Sequence, residues 1–392
     1  MKNKVIVLFS VLLFISGNVF SQSFDEILNT IEQNNKDLQA GSKYLESKTY
    51  EYKLDNLPDG PELSYGYYPG NSATPGTKEV LEVSQSFQMP CFYRNRSAYS
   101  KLIINQEELK FKALRQDILS DAKNMLIDYI YLMKQISIND KRLKFAEDIY
   151  NAYMVRSEVG DVNALELNKT KLNLVQVRKD HEKLQAEILA VRENLKKLNG
   201  GEDISIDIND YPAEGIIELD SLFFDKMEKD PEVLYNQKAS EASEKNVKVT
   251  KNLQLPEFSL GYGSETVADE KFQGFTVGIS IPLWSSKRAI QQAKAESDFY
   301  DLNYASVTQN KLTETKIQYE KVQSFKNSLD SYETVLGSMN NEELLNRSLE
   351  LGEISVIDFF TEMFYFYEVY DDYLLVEKEY HQALAEMFKY KL

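Results

Sequence analysis

Pro61-Glu62-Leu63-Ser64-Tyr65-Gly66-Tyr67 returns later in the chain as Pro256-Glu257-Phe258-Ser259-Leu260-Gly261-Tyr262. The copies stand 195 residues apart. Each opens a pair of short alternating runs that ends on a proline, Pro90 or Pro282. A very long proline-free segment follows each pair and is broken at a glycine, Gly160 or Gly352. The closing prolines and the two glycines are both 192 residues apart, so the first hairpin is three residues longer. Length alone would suggest two or three domains for 392 residues. The self-similarity replaces that with two copies of one unit.

Within the first copy, Leu63, Tyr65 and Tyr67 alternate with Glu62, Ser64 and Gly66. The return run sets Leu81, Val83 and Phe87, with Gln85 as the exception, against Glu82, Ser84 and Ser86. In the second copy Phe258, Leu260 and Tyr262 alternate with Glu257, Ser259, Gly261 and Gly263. Its return run sets Phe275, Val277, Ile279 and Ile281 against Thr276, Gly278 and Ser280. Period two predicts β-hairpins over 61–90 and 256–282, with turns at 69–77 and 264–271. One face is aromatic and β-branched, the other small and polar. Strands of about 9–11 residues cross a bilayer when tilted, and an apolar face opposite a polar one is the pattern of a membrane β-barrel. Tyr67, Tyr68, Phe92, Tyr93 and Trp284 at the strand ends suit interfacial belts. Two hairpins of a soluble sandwich are the competing reading.

The remainder reads as helix. Phe24–Asn34 and 219–229 are short amphipathic segments, each followed by a helix, one from Asp37 to about Leu54 and one to about Leu253. Asp230 and Pro231 fit the cap and first position of the latter. From Arg94 to about Glu158 there is no proline, and at ~1.5 Å per residue that stretch spans roughly 98 Å. Leu119, Ala122, Leu126, Tyr129, Met133, Ile136, Leu143 and Tyr150 keep three–four spacing, interrupted by Asp140 and Glu147. Ile118, Met125 and Leu132 form a second stripe, so this helix has neighbours on both sides. After Gly160 a helix returns from Asn163 to Leu198 on Leu184, Ile188, Val191, Leu195 and Leu198. Residues 199–217 form a linker, in which Ile204, Ile206 and Ile208 alternate as one small strand. The second long arm runs from Ser285 to about Leu351 and returns from Ile354 to about Tyr390, with Ile357, Phe360, Phe364, Tyr367, Leu374, His381 and Phe388 on one seam. All nine prolines lie at 58–90, at 212 or at 231–282, outside the long arms.

Lys2, Lys4, the apolar run Val5 to Ile15 and the small residues up to Ser21 predict a secretory signal, cleaved before Gln22. The only cysteine is Cys91, so no intrachain disulfide forms, and no lipid is expected on the mature N-terminus. Net charge is −17, and loss of Lys2 and Lys4 takes it two further negative, a surface that repels nucleic acid. No phosphate loop, metal-spaced Cys/His set or nucleophile motif is present, so no enzyme, cofactor or metal is expected. His181 and His381 continue helix seams and are expected to pack. Met89 and Cys91 flank Pro90 and could be soft ligands for copper or silver, though packing is the plainer role.

Four strands cannot close a barrel, and an open edge in lipid leaves backbone groups unpaired at several kcal/mol each. The chain is therefore expected to oligomerise: two copies give eight strands and three give about twelve. At this point it resembles the TolC-like family of outer-membrane efflux and secretion channels. The resemblance rests on the duplicated hairpins, the long arm and half-length return, the mid-chain linker and the glycine turns. Its motifs are Val159-Gly160 with Leu165, and Leu351-Gly352-Glu353-Ile354-Ser355-Val356-Ile357-Asp358. Ser84-Gln85-Ser86-Phe87-Gln88-Met89-Pro90 is similar to the heavy-metal branch.

The resemblance implies a mainly α fold with a β-hairpin pair, assembled as a homotrimer. Its twelve-stranded β-barrel in outer-membrane lipid would continue into a twelve-helix α-barrel across the periplasm. Domains would be a signal peptide (1–21), a first repeat (22–198), an equatorial linker (199–217) and a second repeat (218–392). Leu63, Tyr65, Tyr67, Leu81, Val83, Phe258, Leu260, Tyr262, Phe275, Val277 and Ile279 would face lipid. The tip residues Arg156, Val159, Gly160, Leu165, Leu351, Gly352 and Ser355 would meet a periplasmic adaptor (membrane fusion) protein and, through it, an inner-membrane pump of RND or ABC type. Glu166 and Asp358, each six residues after a tip glycine, align with the family's acidic rings at the periplasmic gate. Ile354 stands where some members place a gate-latching arginine. A periplasmic coiled-coil scaffold with a soluble β cap is the alternative function.

Overall fold

A computed structural model describes residues 23–71, 74–267, 269–282, 284, 286–337 and 341–392. The signal and its cleavage site fall outside them. Two short helices, α1 (Phe24–Asn34) and α2 (Lys36–Leu54), lead into strands β1 (Glu62–Asn71) and β2 (Thr74–Phe87). Helix α3 (Pro90–Glu158) then runs 69 residues and α4 (Ala164–Leu198) returns. The plan repeats as α5 (Leu219–Lys229), α6 (Pro231–Asn252), β3 (Glu257–Val267) and β4 (Glu270–Ser280). It closes with α7 (Ser286–Leu336), α8 (Asn341–Glu350), α9 (Val356–Met387) and a 3-10 turn at Lys389–Lys391.

The duplication is visible in the boundaries. α1 and α5, α2 and α6, and β1 and β3 each start 195 residues apart, whereas α4 and α9 start 192 apart. The three-residue change falls in the second strand of each hairpin, which has 14 residues in β2 and 11 in β4. Caps repeat too. Asn35 accepts from the Leu38 N–H at the head of α2, and Asp230 accepts from the Glu232 N–H at the head of α6.

All four strands form one antiparallel sheet in the order β1-β2-β3-β4, so the two hairpins join through β2 and β3. The strands reach further than the sequence suggests: β1 and β2 extend to Asn71 and from Thr74, and β3 and β4 to Val267 and from Glu270. The expected turns at 69–77 and 264–271 are therefore mostly strand. Polar turn residues are tolerated there because cross-strand pairing, not composition, holds the ends. No second sheet lies against this one among the described residues, which excludes the sandwich.

Helices continue the sheet. α2 packs on α3, α3 on α6 and α6 on α7, the spatial order of the strands they lead into or leave. Nearer the tips the neighbours are α4, α3, α9 and α7, with α8 also against α9. Helix α3 is thus flanked on both sides, as its two stripes require. At the waist, Ile27, Ile31, Leu119, Leu126 and Leu195 form one core with Ile208, while Leu222, Val322, Leu384 and Met387 form its counterpart in the second repeat.

Several expectations need correction. Ile204, Ile206 and Ile208 pack against the first waist core but pair with no strand, because the linker lies across helices that offer no backbone partners. The second long arm is not continuous: α7 ends at Leu336 before Gly337, a glycine the repeat pattern had passed over. Phe92 and Tyr93 belong to α3, which starts at Pro90, and Phe92 is buried rather than part of a surface belt. Beyond Met133 the buried face of α3 moves one position to Leu132, Asn139, Ala146 and Ile149. Leu132, Asn139 and Ala146 continue the second stripe of Ile118 and Met125 at seven-residue spacing, so that stripe takes over the core. Asp140 and Glu147 are consequently not core faults. They pair with His181 (2.8 Å) and Arg178 (3.0 Å) of α4. In α9 the inward residues near the tip are Val356, Phe359 and Met363, leaving Ile357 and Phe364 exposed.

Gly200 has φ +70, and a Cβ there would sit well inside van der Waals contact of the Asn34 carbonyl oxygen. The same junction holds Asn35 Nδ2 donating to Leu198 O (2.8 Å) and Asn34 Nδ2 donating to Asn199 Oδ1 (3.0 Å). Gly160, at φ +78, has open space around it. Gly160→Ala should cost about 1 kcal/mol from backbone conformation alone. Gly200→Ala should cost roughly 3 kcal/mol or more, because backbone must also move. Thermal unfolding followed by circular dichroism checks this, and equal shifts for the two variants would contradict the packing described.

Candidate functional site

Two regions carry functional geometry: the sheet and the helix tips. In the sheet, register brings every strand's apolar set to the same side. Leu63, Val83, Tyr262 and Phe275 form one row across all four strands, and Phe87, Phe258 and Ile279 form another. All eleven residues expected to face lipid lie on this face, exposed; Phe275 is 87% exposed and Val277 73%. Tyr262 and Phe275 meet edge-on at 5.3 Å. From Ile281 to the polar row of Glu79, Thr266 and Lys271, ten residues run roughly 34 Å along the strand, or about 25 Å at a barrel strand's tilt. That matches the apolar band of outer-membrane barrels.

Gln85, Ser264 and Gln273 are the polar side chains inside the band, and Gln85 Nε2 donates to Asp59 O (2.6 Å) and Ser86 O (3.0 Å). The opposite face carries Glu62, Ser84 and Thr276 in one row and Ser64, Glu82 and two glycines in the next. β1 and β4 are the outer strands, each paired on one side. The apolar face does not fold back on the helices, so a soluble β cap is not favoured.

The tips repeat each other closely. At the first, the Gly160 N–H donates to Ser157 O (3.1 Å) and the Asp161 N–H to Arg156 O (2.9 Å). At the second, the Gly352 N–H donates to Leu349 O (3.1 Å) and the Glu353 N–H to Ser348 O (2.9 Å). Both are helix C-caps closed by a left-handed glycine, at φ +78 and +72. Three residues on, each chain direction restarts with a capping box. Asn163 accepts from the Glu166 N–H (2.9 Å) while Glu166 accepts from the Asn163 N–H (3.3 Å). Ser355 and Asp358 do the same in α9 at 3.2 and 3.4 Å. Glu166 and Asp358 thus occupy one structural position in the two repeats.

Val159 (76% exposed), Leu165 and Leu351 (64% each) project apolar surface at the ends. Arg156 is held by Asp161 through Nε at 2.8 Å. Ile354, in the place of the absent arginine, packs with Val356, Phe359 and Ile149 and so fixes the second tip against α3. The sequence reading starts the return helix at Asn163 and places Ser355 at the tip without assigning either a capping role, although an Asn or Ser three residues before Glu or Asp is the available signal.

His381 stacks on Tyr211 at 4.2 Å and meets Tyr380 edge-on, a packing role. His181, by contrast, is tied to Asp140 rather than to the seam. Burial, reinforced by Lys134 and Lys123, holds His381 down to about 4. Its folded pKa lies below the ordinary 6.5, so the unfolded chain binds the extra proton first as pH falls. The neutral ring's stabilising contribution is complete above pH 6.5 and declines between 6.5 and about 4. His381→Phe should lower stability less at pH 5 than at pH 7.5, measured by denaturant midpoints. A pH-independent difference would contradict the burial of a neutral ring.

Among the described residues no group of side chains is arranged for a metal, and Cys91 is exposed and free. No described helix is long and apolar enough to cross a membrane.

Residues 27–201 match the family model of the outer membrane efflux protein. No curated protein matches the chain by sequence. Among solved structures, CusC superposes with a TM-score of 0.77 at 17% identity, covering 94% of this chain and 91% of that one. The Campylobacter jejuni CmeC outer membrane channel gives 0.72 at 16% identity, covering 94% and 85%. The open state of the Neisseria gonorrhoeae MtrE outer membrane channel gives 0.77 at 14%, covering 94% and 88%. The first repeat thus carries the sequence pattern of the outer membrane efflux protein family, and the two repeats together share the fold of these solved channels.

Proposed function

We propose that the chain is one third of the passive exit duct of a tripartite efflux or type I secretion system. Three copies pair β1 of one with β4 of the next, and the four strands and four-helix layer of each become twelve of each around one axis. The reading is carried by a single observation: a sheet with one contiguous exposed apolar face and two outer strands, each paired on one side only. Lipid takes the apolar face, and the small, polar face lines the lumen. The duct spends no energy. A periplasmic adaptor meets the tips around Gly160 and Gly352, where Val159, Leu165 and Leu351 offer apolar contact, and an RND- or ABC-type inner-membrane pump supplies the work. The channels CmeC and MtrE support an outer-membrane location.

Glu166 and Asp358 form the cation-attracting ring at the periplasmic mouth. Their equivalent places in two capping boxes bring six carboxylates to one level in a trimer, two from each copy. Gln and Asn keep the acceptor that each cap needs, so Glu166→Gln with Asp358→Asn removes charge while preserving the turn. In planar bilayers the wild type should conduct with cation preference, and the double variant should lose most of that preference with little change in trimer stability. Unchanged selectivity would discard the ring. Release of the protein from membranes by salt alone, without detergent, would instead favour a periplasmic scaffold.

A further inference from the structure

Between α3, α4 and α9, on the tip side of the waist, lies a cavity of about 320 Å³. Its apolar wall comes from α9, where Phe360, Met363, Phe364 and Tyr367 line it. Phe364 is 65% exposed despite its size. Its polar wall is acidic: Asp180, Glu368, Asp371 and Asp372 surround one cation, Arg142. That cation is already committed. Its two terminal nitrogens donate to Asp371 at 2.8 and 2.9 Å, and its guanidinium lies 3.9 Å from the centre of the Tyr367 ring. Asp180 has Lys179 at 3.1 Å, while Glu368 and Asp372 have no ion pair among the described residues. The site therefore carries excess negative charge next to aromatic surface.

A second observation points independently to a ligand. Asn139 lines the same cavity, is 5% exposed, and its Oδ1 has no donor. A buried acceptor without a partner costs about 1–3 kcal/mol. Arg142 Nε, also buried, has no acceptor. The cavity thus lacks a donor for Asn139, an acceptor for Arg142 and a cation for the carboxylates.

We propose that this groove binds an organic ammonium ion with an aromatic body and a hydroxyl group. The ammonium sits against Glu368 and Asp372, and the ring lies on Phe360 and Phe364, where cation–π and apolar contacts add to the charge. A ligand N–H or O–H donates to Asn139 Oδ1, and the ligand's hydroxyl oxygen accepts from Arg142 Nε. Every residue involved comes from one chain, so the inference stands or falls apart from the trimeric duct.

The test uses the full chain purified in detergent, with phenylalaninol as probe in isothermal titration calorimetry. Saturable binding with a dissociation constant on the order of 1 mM or tighter is expected. 3-Phenylpropionate, which keeps the ring but reverses the charge, and propanolamine, which lacks the ring, should each bind at least about tenfold more weakly. Glu368→Gln with Asp372→Asn should weaken phenylalaninol about tenfold, and Asn139→Leu should weaken it as well. Equal affinity for the amine and the acid, no heat from phenylalaninol, or full affinity in the charge-neutral variant would overturn the site. If that variant does not fold, the comparison of the three probes on the wild type decides alone.

Discussion

The proposed duct rests on one constraint, the pairing of backbone hydrogen-bonding groups in lipid. An antiparallel sheet of four strands satisfies its inner ladders, but β1 and β4 each keep one side unpaired. In water such edges are tolerable; in hydrocarbon each unpaired group costs several kcal/mol. In the proposed duct the apolar row from Leu63 to Phe275 faces lipid, and lipid forbids open edges. That reading meets both demands by closing the edges of one copy with others, so that the protomer is an arc of a wall.

The helices obey the same geometry at a larger spacing. α2, α3, α6 and α7 stand side by side in the order of the strands they lead into or leave, so in the proposed duct the curvature that closes the sheet would also close the helical layer. Charge pairs join a small apolar core in fastening the repeats together. On α3, Asp128 meets Lys378 (3.6 Å), Lys134 meets Glu377 (2.7 Å) and Arg142 meets Asp371 (2.8 Å), all on α9. Partly buried pairs of this kind fix register more than they add stability. They hold the second tip at a defined height beside the first, where Ile149 packs with Phe359 and Met363.

Much of this was legible in the sequence because two periods differ so sharply. Alternation at Leu63, Tyr65 and Tyr67 and three–four spacing at Leu119, Ala122 and Leu126 leave little choice of element. Glycines at 160 and 352 marked the turns because each needs a left-handed backbone. What could not be read were features decided by neighbours. Past Met133 the second stripe of α3 takes over the core from the first, and only the positions of α4 and α9 reveal where. Glu79 shares the face of Tyr67, yet its place at the polar rim follows from pairing with Thr266, which sequence does not show. Glu166 and Asp358 were read as a matched pair, but the capping role of Asn163 and Ser355 beside them was not. The groove beside Asn139 combines residues from three helices distant in sequence, so no local pattern marks it.

Cross-linking between the outer strands tests the central claim most directly. In a Cys91→Ser background, cysteines are placed in β1 and in β4 of the same chain, scanned over 62–71 and 270–280, and oxidised in native membranes. Closure by neighbouring copies predicts covalent species that grow to three chains and stop there, at registers that pair β1 with β4. Products confined to single chains at every register, or an unbounded ladder of larger species, would contradict a shared wall.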